Sequence, residues 1–256
     1  MAPPVASPVM SDDLGPARQR ILVVDDDPAI VSMVAQKLDR AGYEVLTATT
    51  GQHALDVISR SGLPHLAVVD IRMPVMDGIS FCRAVQTFSD LPIIMLTAVD
   101  EEETVIAAIE QFAEDYVVKP FSPSELVARI GRVLRRIGDF WYTLSPVIDV
   151  DEFLAVDFPH QTATVGPREV SLSPAESKLL YILMRNADRV VSTGFLLRRL
   201  WPREEVFEDA LRVQVHRLRA KLEPDPRHLR YIITERGQGY RFGCKPGAKP
   251  AARGTS

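Results

Sequence analysis

The chain has 256 residues, a formal net charge of −4 and two cysteines, a length that suits two ordinary domains, each able to bury its own core. Cys82 and Cys244 are too few and too far apart for a disulfide scaffold or a metal-ligand spacing, and no apolar run approaches a membrane span. A soluble, cytoplasmic protein with no membrane partner is therefore expected, and its charge is uneven: residues 19–137 carry 17 acids against 11 bases, residues 151–256 carry 13 against 18.

Residues 1–18, rich in Pro, Ala and Ser, hold too little apolar surface to fold and read as a disordered leader without the pattern of an export signal. Ile21 to Val24 then form a short apolar strand that runs into Asp25-Asp26-Asp27, with Pro28 at a helix start. Three adjacent carboxylates repel one another, and a helix N-terminus asks for only one, so a site for a hard cation is expected. From Ile30 apolar residues recur at helical spacing through Val34 and Leu38 to Gly42, and 43–49 reads as extended. The alternation continues with helix 52–60, strand 66–70, helix 79–87, strand 92–97, helix 102–111, strand 116–118 and helix 123–136. This rhythm predicts an α/β fold, a doubly wound five-stranded parallel sheet of flavodoxin-like type, with its ligand site beyond the carboxyl ends of the strands.

Several of those ends are polar. Leu66 to Val69 runs into Asp70, Ile93 to Leu96 into Thr97, and Tyr116 to Val118 into Lys119-Pro120, a candidate cis peptide. A lone aspartate in such a place is ordinarily a turn or cap residue; its company argues otherwise, because an ionised carboxylate at the mouth of a core needs a metal or a lysine. Acidic cluster, lone aspartate, hydroxyl and Lys-Pro are together what an aspartyl-phosphate site requires, and residues 19–137 resemble the response-regulator receiver domain. The resemblance implies that Asp70 is the phosphoacceptor, served by a sensor histidine kinase. It implies that Asp25, Asp26, Asp70 and the backbone carbonyl of Arg72 hold Mg²⁺, and that Thr97 and Lys119 contact the phosphoryl oxygens. Tyr116 occupies the family's switch-aromatic position, or is simply a half-buried strand residue. Asp115, Glu125, Arg129 and Arg136 match charges through which active receivers pair, on the face formed by helix 102–111, strand 116–118 and helix 123–136. Two departures stand out: Phe112 replaces a usual glycine, and Val105 replaces a basic residue that normally meets the acid matching Glu125.

Residues 138–150 mix Gly, Pro and aromatics without a period and read as a linker. Extended segments at 153–157, 162–165 and 169–172 predict a small antiparallel platform. Ser173-Pro174-Ala175-Glu176 carries a capping-box pattern, with Leu179, Leu180, Leu183 and Met184 as the buried face of the helix it starts. A second helix begins at Ser192 and turns Phe195, Leu196 and Leu200 inward. A third, 208–222, sets an apolar stripe of Leu211, Val215, Leu218 and Leu222 against a face of Asp209, Val213, His216, Arg217 and Ala220, flanked by Arg212, Arg219 and Lys221. A cationic face is as often merely solvated, but here a hairpin follows with Arg236-Gly237-Gln238-Gly239 at its tip, and helix plus basic wing means double-stranded DNA.

Residues 151–243 resemble the α+β winged-helix effector of OmpR/PhoB-type response regulators. That resemblance places Arg217, with Arg212, Val213 and His216, in the major groove, Arg236 in the minor groove, and Arg219 and Thr234 against phosphates. It also implies a homodimer on phosphorylation, promoter sites arranged as direct repeats, and contact with RNA polymerase. Gln214 and His216 replace the usual histidine and serine, and Gly194-Phe195 breaks the usual start of its helix. Residues 244–256 read as a disordered tail. The whole is expected to be a transcription regulator and not an enzyme, since no second acid is placed as a general base beside Asp70.

Overall fold

The structure, a computed structural model, describes residues 18–98, 112–137, 147–202, 206–225 and 227–243. Residues 1–17 of the expected leader, helix 102–111 with Val105, most of the linker, and the tail lie outside the described residues.

The first unit is a five-stranded parallel sheet in the order β2-β1-β3-β4-β5, from β1 (Arg20–Val24), β2 (Glu44–Ala48), β3 (Leu66–Asp70), β4 (Ile93–Thr97) and β5 (Asp115–Val118). β1, β3 and β4 read as near-continuous apolar runs because they are covered on both faces. Ile21, Val23, Leu66, Val68, Ile94 and Leu96 pack beneath α1 (Pro28–Arg40) and α4 (Pro123–Ile137). Leu22, Val24, Ala67, Val69, Ile93 and Met95 face α2 (Gly51–Ser61) and α3 (Gly78–Phe88). Each of the first three helices starts on a side-chain cap: Asp27 accepts from Ala29 N–H, Thr50 from His53 N–H and Asp77 from Ser80 N–H. Gly78 is required by close approach, since a Cβ there would collide with the Asp70 carbonyl.

The second unit opens with a four-stranded antiparallel sheet, β6 (Val147–Asp149), β7 (Leu154–Asp157), β8 (Thr162–Val165) and β9 (Arg168–Ser171). Three helices follow, α5 (Pro174–Arg185), α6 (Thr193–Leu200) and α7 (Glu208–Leu222). A three-stranded sheet in the order β10-β12-β11 closes the unit, from β10 (Val191–Ser192), β11 (Ile232–Glu235) and β12 (Gly239–Phe242). The capping box on α5 is formed in both directions between Ser173 and Glu176.

Two boundaries are corrected. Arg18, expected in the leader, bonds the Gly42 carbonyl and pairs with Asp39, so it belongs to the first unit. Residues 147–149, expected in the linker, form β6, because Val147 to Asp149 pair with β7 and extend the platform by one edge strand. The two units also touch. α3 packs on α5, and the core beneath α3 runs on into that of the second unit.

Candidate functional site

Parallel register brings the polar strand ends to one place. Val24 is level with Val69, Asp70 with Leu96, and Thr97 with Val118, so Asp25, Asp70, Thr97 and Lys119 emerge side by side at the carboxyl edge. Asp25 is fully buried, Asp70 is 6% exposed, and Asp26 lies open to solvent. Carboxylate oxygens of the three lie within 4.8 Å of one another. Lys119 Nζ stands 2.8 Å from Asp25 Oδ2 and 2.8 Å from Asp70 Oδ1. Its peptide bond to Pro120 is cis. Burial lifts the Asp70 carboxyl above its ordinary pKa, and Lys119, shared with Asp25, does not cancel that because Asp25 and Asp26 add negative charge alongside. Burial would depress the Lys119 ammonium, but its bonds to Asp25 and Asp70 outweigh it and hold the pKa above the usual lysine value. Thr97 is buried and its hydroxyl donates to the Ala98 carbonyl at 3.1 Å. Asp27, third acid of the cluster, caps α1 and leaves the site to its neighbours. Three carboxylates without nitrogen or sulfur donors make an oxygen set suited to a hard divalent cation.

On the face of β5 and α4, Asp115 accepts from Arg129 and from Arg132 at 2.6 Å, Glu125 pairs with Arg129 at 2.8 Å, and Arg136 pairs with Glu114 at 2.5 Å. These charges are satisfied within the chain, and the bonds from Arg129 and Arg132 outweigh partial burial to hold Asp115 below the usual carboxylate range. Tyr116 is 53% exposed. Phe112, in place of glycine, is half-buried under the Arg83 guanidinium.

In the second unit Leu211, Val215, Leu218 and Leu222 bury one side of α7, leaving Arg212, Val213, His216 and Arg217 exposed. Arg212 is tied to Glu208 and Asp209 at the helix start. The hairpin of β11 and β12 carries Arg236 and Gly237 at an exposed tip, with Gly237 at φ +73°. A groove of about 420 Å³ runs between α7 and this wing, lined by Arg212, Thr234 and Gly237 among others. Arg219 is placed differently from its neighbours: its guanidinium donates to the Ile232 carbonyl at 2.7 Å and to Thr234 Oγ1 at 2.8 Å, fastening helix to wing. Lys221 likewise faces the scaffold, bonded to Ser171 O and Glu176. Sequence reasoning passed over Glu223, whose carboxylate accepts from the N–H groups of Arg230, Tyr231 and Ile232 and so sets the entry of the wing.

A parallel sheet with carboxylates and a lysine at its strand ends, followed by a winged helix, defines a regulator in which a receiver is joined to a DNA-binding effector. Residues 21–131 match the response regulator receiver domain, and residues 167–242 match the C-terminal domain of transcriptional regulatory proteins. The chain is 38% identical over 232 residues to the probable transcriptional regulator ycf27 of Galdieria sulphuraria, covering 88% of this chain and 90% of that one. It is 38% identical over 227 residues to the DNA-binding response regulator MtrA of Mycolicibacterium smegmatis, covering 88% and 97%. Among solved structures, DrrB of Thermotoga maritima, an OmpR/PhoB homologue, is 32% identical over 88% of this chain and 99% of its own, with a TM-score of 0.42. The chain belongs to the family of DNA-binding response regulators. Its partners are a histidine kinase and DNA, and it is a transcription factor and not an enzyme. Among the described residues no helix is long and apolar enough to cross a membrane.

Proposed function

We propose that Asp70 is the residue that receives the phosphoryl group, and that its modification drives receiver pairing and promoter binding in the cytoplasm. The observation that carries this reading is the convergence of Asp25, Asp70 and Lys119 within 2.8 Å contacts at one strand edge. Asp70 Oδ attacks the phosphorus of the kinase's phosphohistidine, the P–N bond breaks, and the imidazole leaves with a proton from solvent. Negative charge then accumulates on the phosphoryl oxygens, where the Lys119 ammonium donates and the Thr97 hydroxyl turns from the Ala98 carbonyl to join it. Asp25, Asp26 and Asp70 would hold Mg²⁺ together with the Arg72 carbonyl; bound there, the ion neutralises charge on the transferring group.

The receiver spans 19–137 with Arg18 added, and the effector begins at β6 and ends at 243. On the effector, Arg217, His216, Val213 and Arg212 face the major groove, Arg236 enters the minor groove and Thr234 approaches phosphate. Phosphorylated receivers pair through the face of Asp115, Tyr116, Glu125, Arg129 and Arg136, and two effectors occupy direct repeats beside RNA polymerase. Incubation with a small-molecule phosphodonor and Mg²⁺ should give one hydroxylamine-labile phosphoryl group per chain. Asp70→Asn should abolish it, and undiminished labelling of that variant would overturn the assignment.

A further inference from the structure

The amino edge of the parallel sheet, at the far end of the strands from Asp70, carries a basic cavity of about 540 Å³. Its walls come from separate parts of the chain. Gln19 precedes β1 and Tyr43 precedes β2, Gly131 and Arg135 lie in the second half of α4, and Arg189 stands in the loop that follows α5. Arg136 also lines it, and buried Leu134 supplies a small apolar wall. The length of β1, on the order of 15 Å, separates this cavity from the carboxylates at the other edge.

Among the described residues every charged group lining the cavity is a cation, and the acids beside these segments are engaged elsewhere. Asp39 is held by Arg18 at 3.0 Å and Glu44 by Arg20 at 2.9 Å, while Arg136 reaches Glu114, which Arg199 also holds. Arg135 and Arg189 are exposed, and among the described residues their guanidinium groups have no bonded partner. The Tyr43 hydroxyl and the Gln19 carboxamide add uncharged donors to the same wall.

A glycine keeps the space open. Gly131 lies inside a helix, where glycine is the least favourable residue after proline. A Cβ there would stand 3.2 Å from Arg135 Nη1 and 3.7 Å from Tyr43 Oη, so Arg135, one turn on, folds back over the glycine toward the tyrosine.

We propose that this cavity binds a small oligophosphate anion, a di- or triphosphate group carried either as free polyphosphate or as the tail of a nucleotide. Guanidinium forks pair bidentately with phosphate oxygens, and Arg135, Arg136 and Arg189 converging on one space match the charge of such a group. The volume is that of a small-molecule site, whereas a duplex rests on a broad open face.

Isothermal titration of the full-length unphosphorylated protein tests this with inorganic phosphate, tripolyphosphate and ATP at matched ionic strength, in chelator so that no Mg²⁺ occupies the carboxyl edge. Tripolyphosphate and ATP should each bind once per chain, roughly tenfold or more tighter than inorganic phosphate. ATP tighter again by about tenfold identifies a nucleotide site and equal affinities an oligophosphate site; either result supports the cavity. Arg135→Ala and Arg189→Ala should each weaken both ligands by about tenfold, the loss of one charge-assisted contact. Gly131→Glu fills the space with an anion while improving the helix, so it should abolish binding with thermal stability retained. Asp70→Asn, at the opposite edge, should bind both ligands as wild type does. No preference over inorganic phosphate, more than one ligand per chain, loss of binding in Asp70→Asn, or undiminished binding in Gly131→Glu would overturn the site. Duplex binding by Arg135→Ala and Arg189→Ala should stay at the wild-type level; duplex affinity lost in these variants, with no oligophosphate bound by wild type, would assign the patch to the DNA backbone and overturn it as well.

Discussion

The ammonium of Lys119 lies 2.8 Å from Asp70 Oδ1, so the carboxylate proposed as acceptor already holds the cation that would meet an incoming phosphoryl group. The same ammonium is shared with fully buried Asp25, which leaves exposed Asp26 as the carboxylate with most to gain from a divalent ion. Magnesium at about 100 times its dissociation constant should therefore stabilise the receiver by about 2.7 kcal/mol. Asp26→Asn should lose most of that gain without lowering stability in chelator. Thermal denaturation with and without MgCl₂ measures both, and an unchanged magnesium increment in the variant would remove Asp26 from the site.

His65 offers a pH test away from that site. It is buried, accepts from the Arg20 N–H through Nδ1 at 2.9 Å, and has its pKa lowered to about 4 by burial and by the charge of Arg20. Between about pH 6.5 and 4 the unfolded chain binds the proton and the folded chain does not, so stability is lost as pH falls through that window. The loss attributable to His65 is about 3 kcal/mol at 1.36 kcal/mol per pH unit. His65→Asn keeps an acceptor for Arg20 and does not titrate, so its stability curve should be flatter by that amount in urea unfolding between pH 7 and 4. Parallel curves would contradict the assignment.

Val75, five residues past Asp70, sits at φ +70° at the centre of a tight turn closed by the Met76 N–H on the Pro74 carbonyl at 2.8 Å, with 93% of its surface exposed. A β-branched residue in that conformation is strained and gains nothing from burial. Val75→Gly should stabilise the receiver by about 1 kcal/mol after the entropy of a more flexible unfolded chain is deducted. A loss of stability in chemical denaturation would show that the valine is held by contacts.

Arg217 and Arg219 stand two residues apart on α7 and should behave differently. Arg217 is exposed, and Arg217→Ala should cost about 1–3 kcal/mol on the cognate site and relax base choice. Arg219 fastens β11 through Ile232 O and Thr234, so Arg219→Ala should lower effector stability by about 1–3 kcal/mol and weaken all DNA through a loosened wing. Binding to cognate and random duplexes, paired with unfolding curves, separates the two. Equal loss of specificity with unchanged stability in both would refute the division.

Much of this was legible because it depends on local pattern. The apolar runs ending in Asp25, Asp70, Thr97 and Lys119 announced a parallel sheet and its working edge, and the stripe from Leu211 to Leu222 announced the buried side of α7. What escaped depends on partners distant in sequence. Asp25, Asp26 and Asp27 look alike until the turn into α1 takes Asp27 as its cap. Val147 to Asp149 is too short for a period and becomes a strand only because β7 offers it an edge. Arg219 falls on the flank of a helical projection, and only the return of the wing turns it inward. Glu223 meets its three N–H partners across the following loop, and Arg199 meets Asp90 across 109 residues.

Phosphorylation of Asp70, as proposed above, governs how the effector binds DNA. Its most direct test is one binding isotherm on a promoter fragment, taken with and without phosphodonor, for wild type and for Asp70→Asn. The donor should tighten wild-type binding and leave Asp70→Asn on its unmodified curve. Tightening that persists in Asp70→Asn, or stoichiometric phosphorylation of wild type with no change in its isotherm, would contradict it.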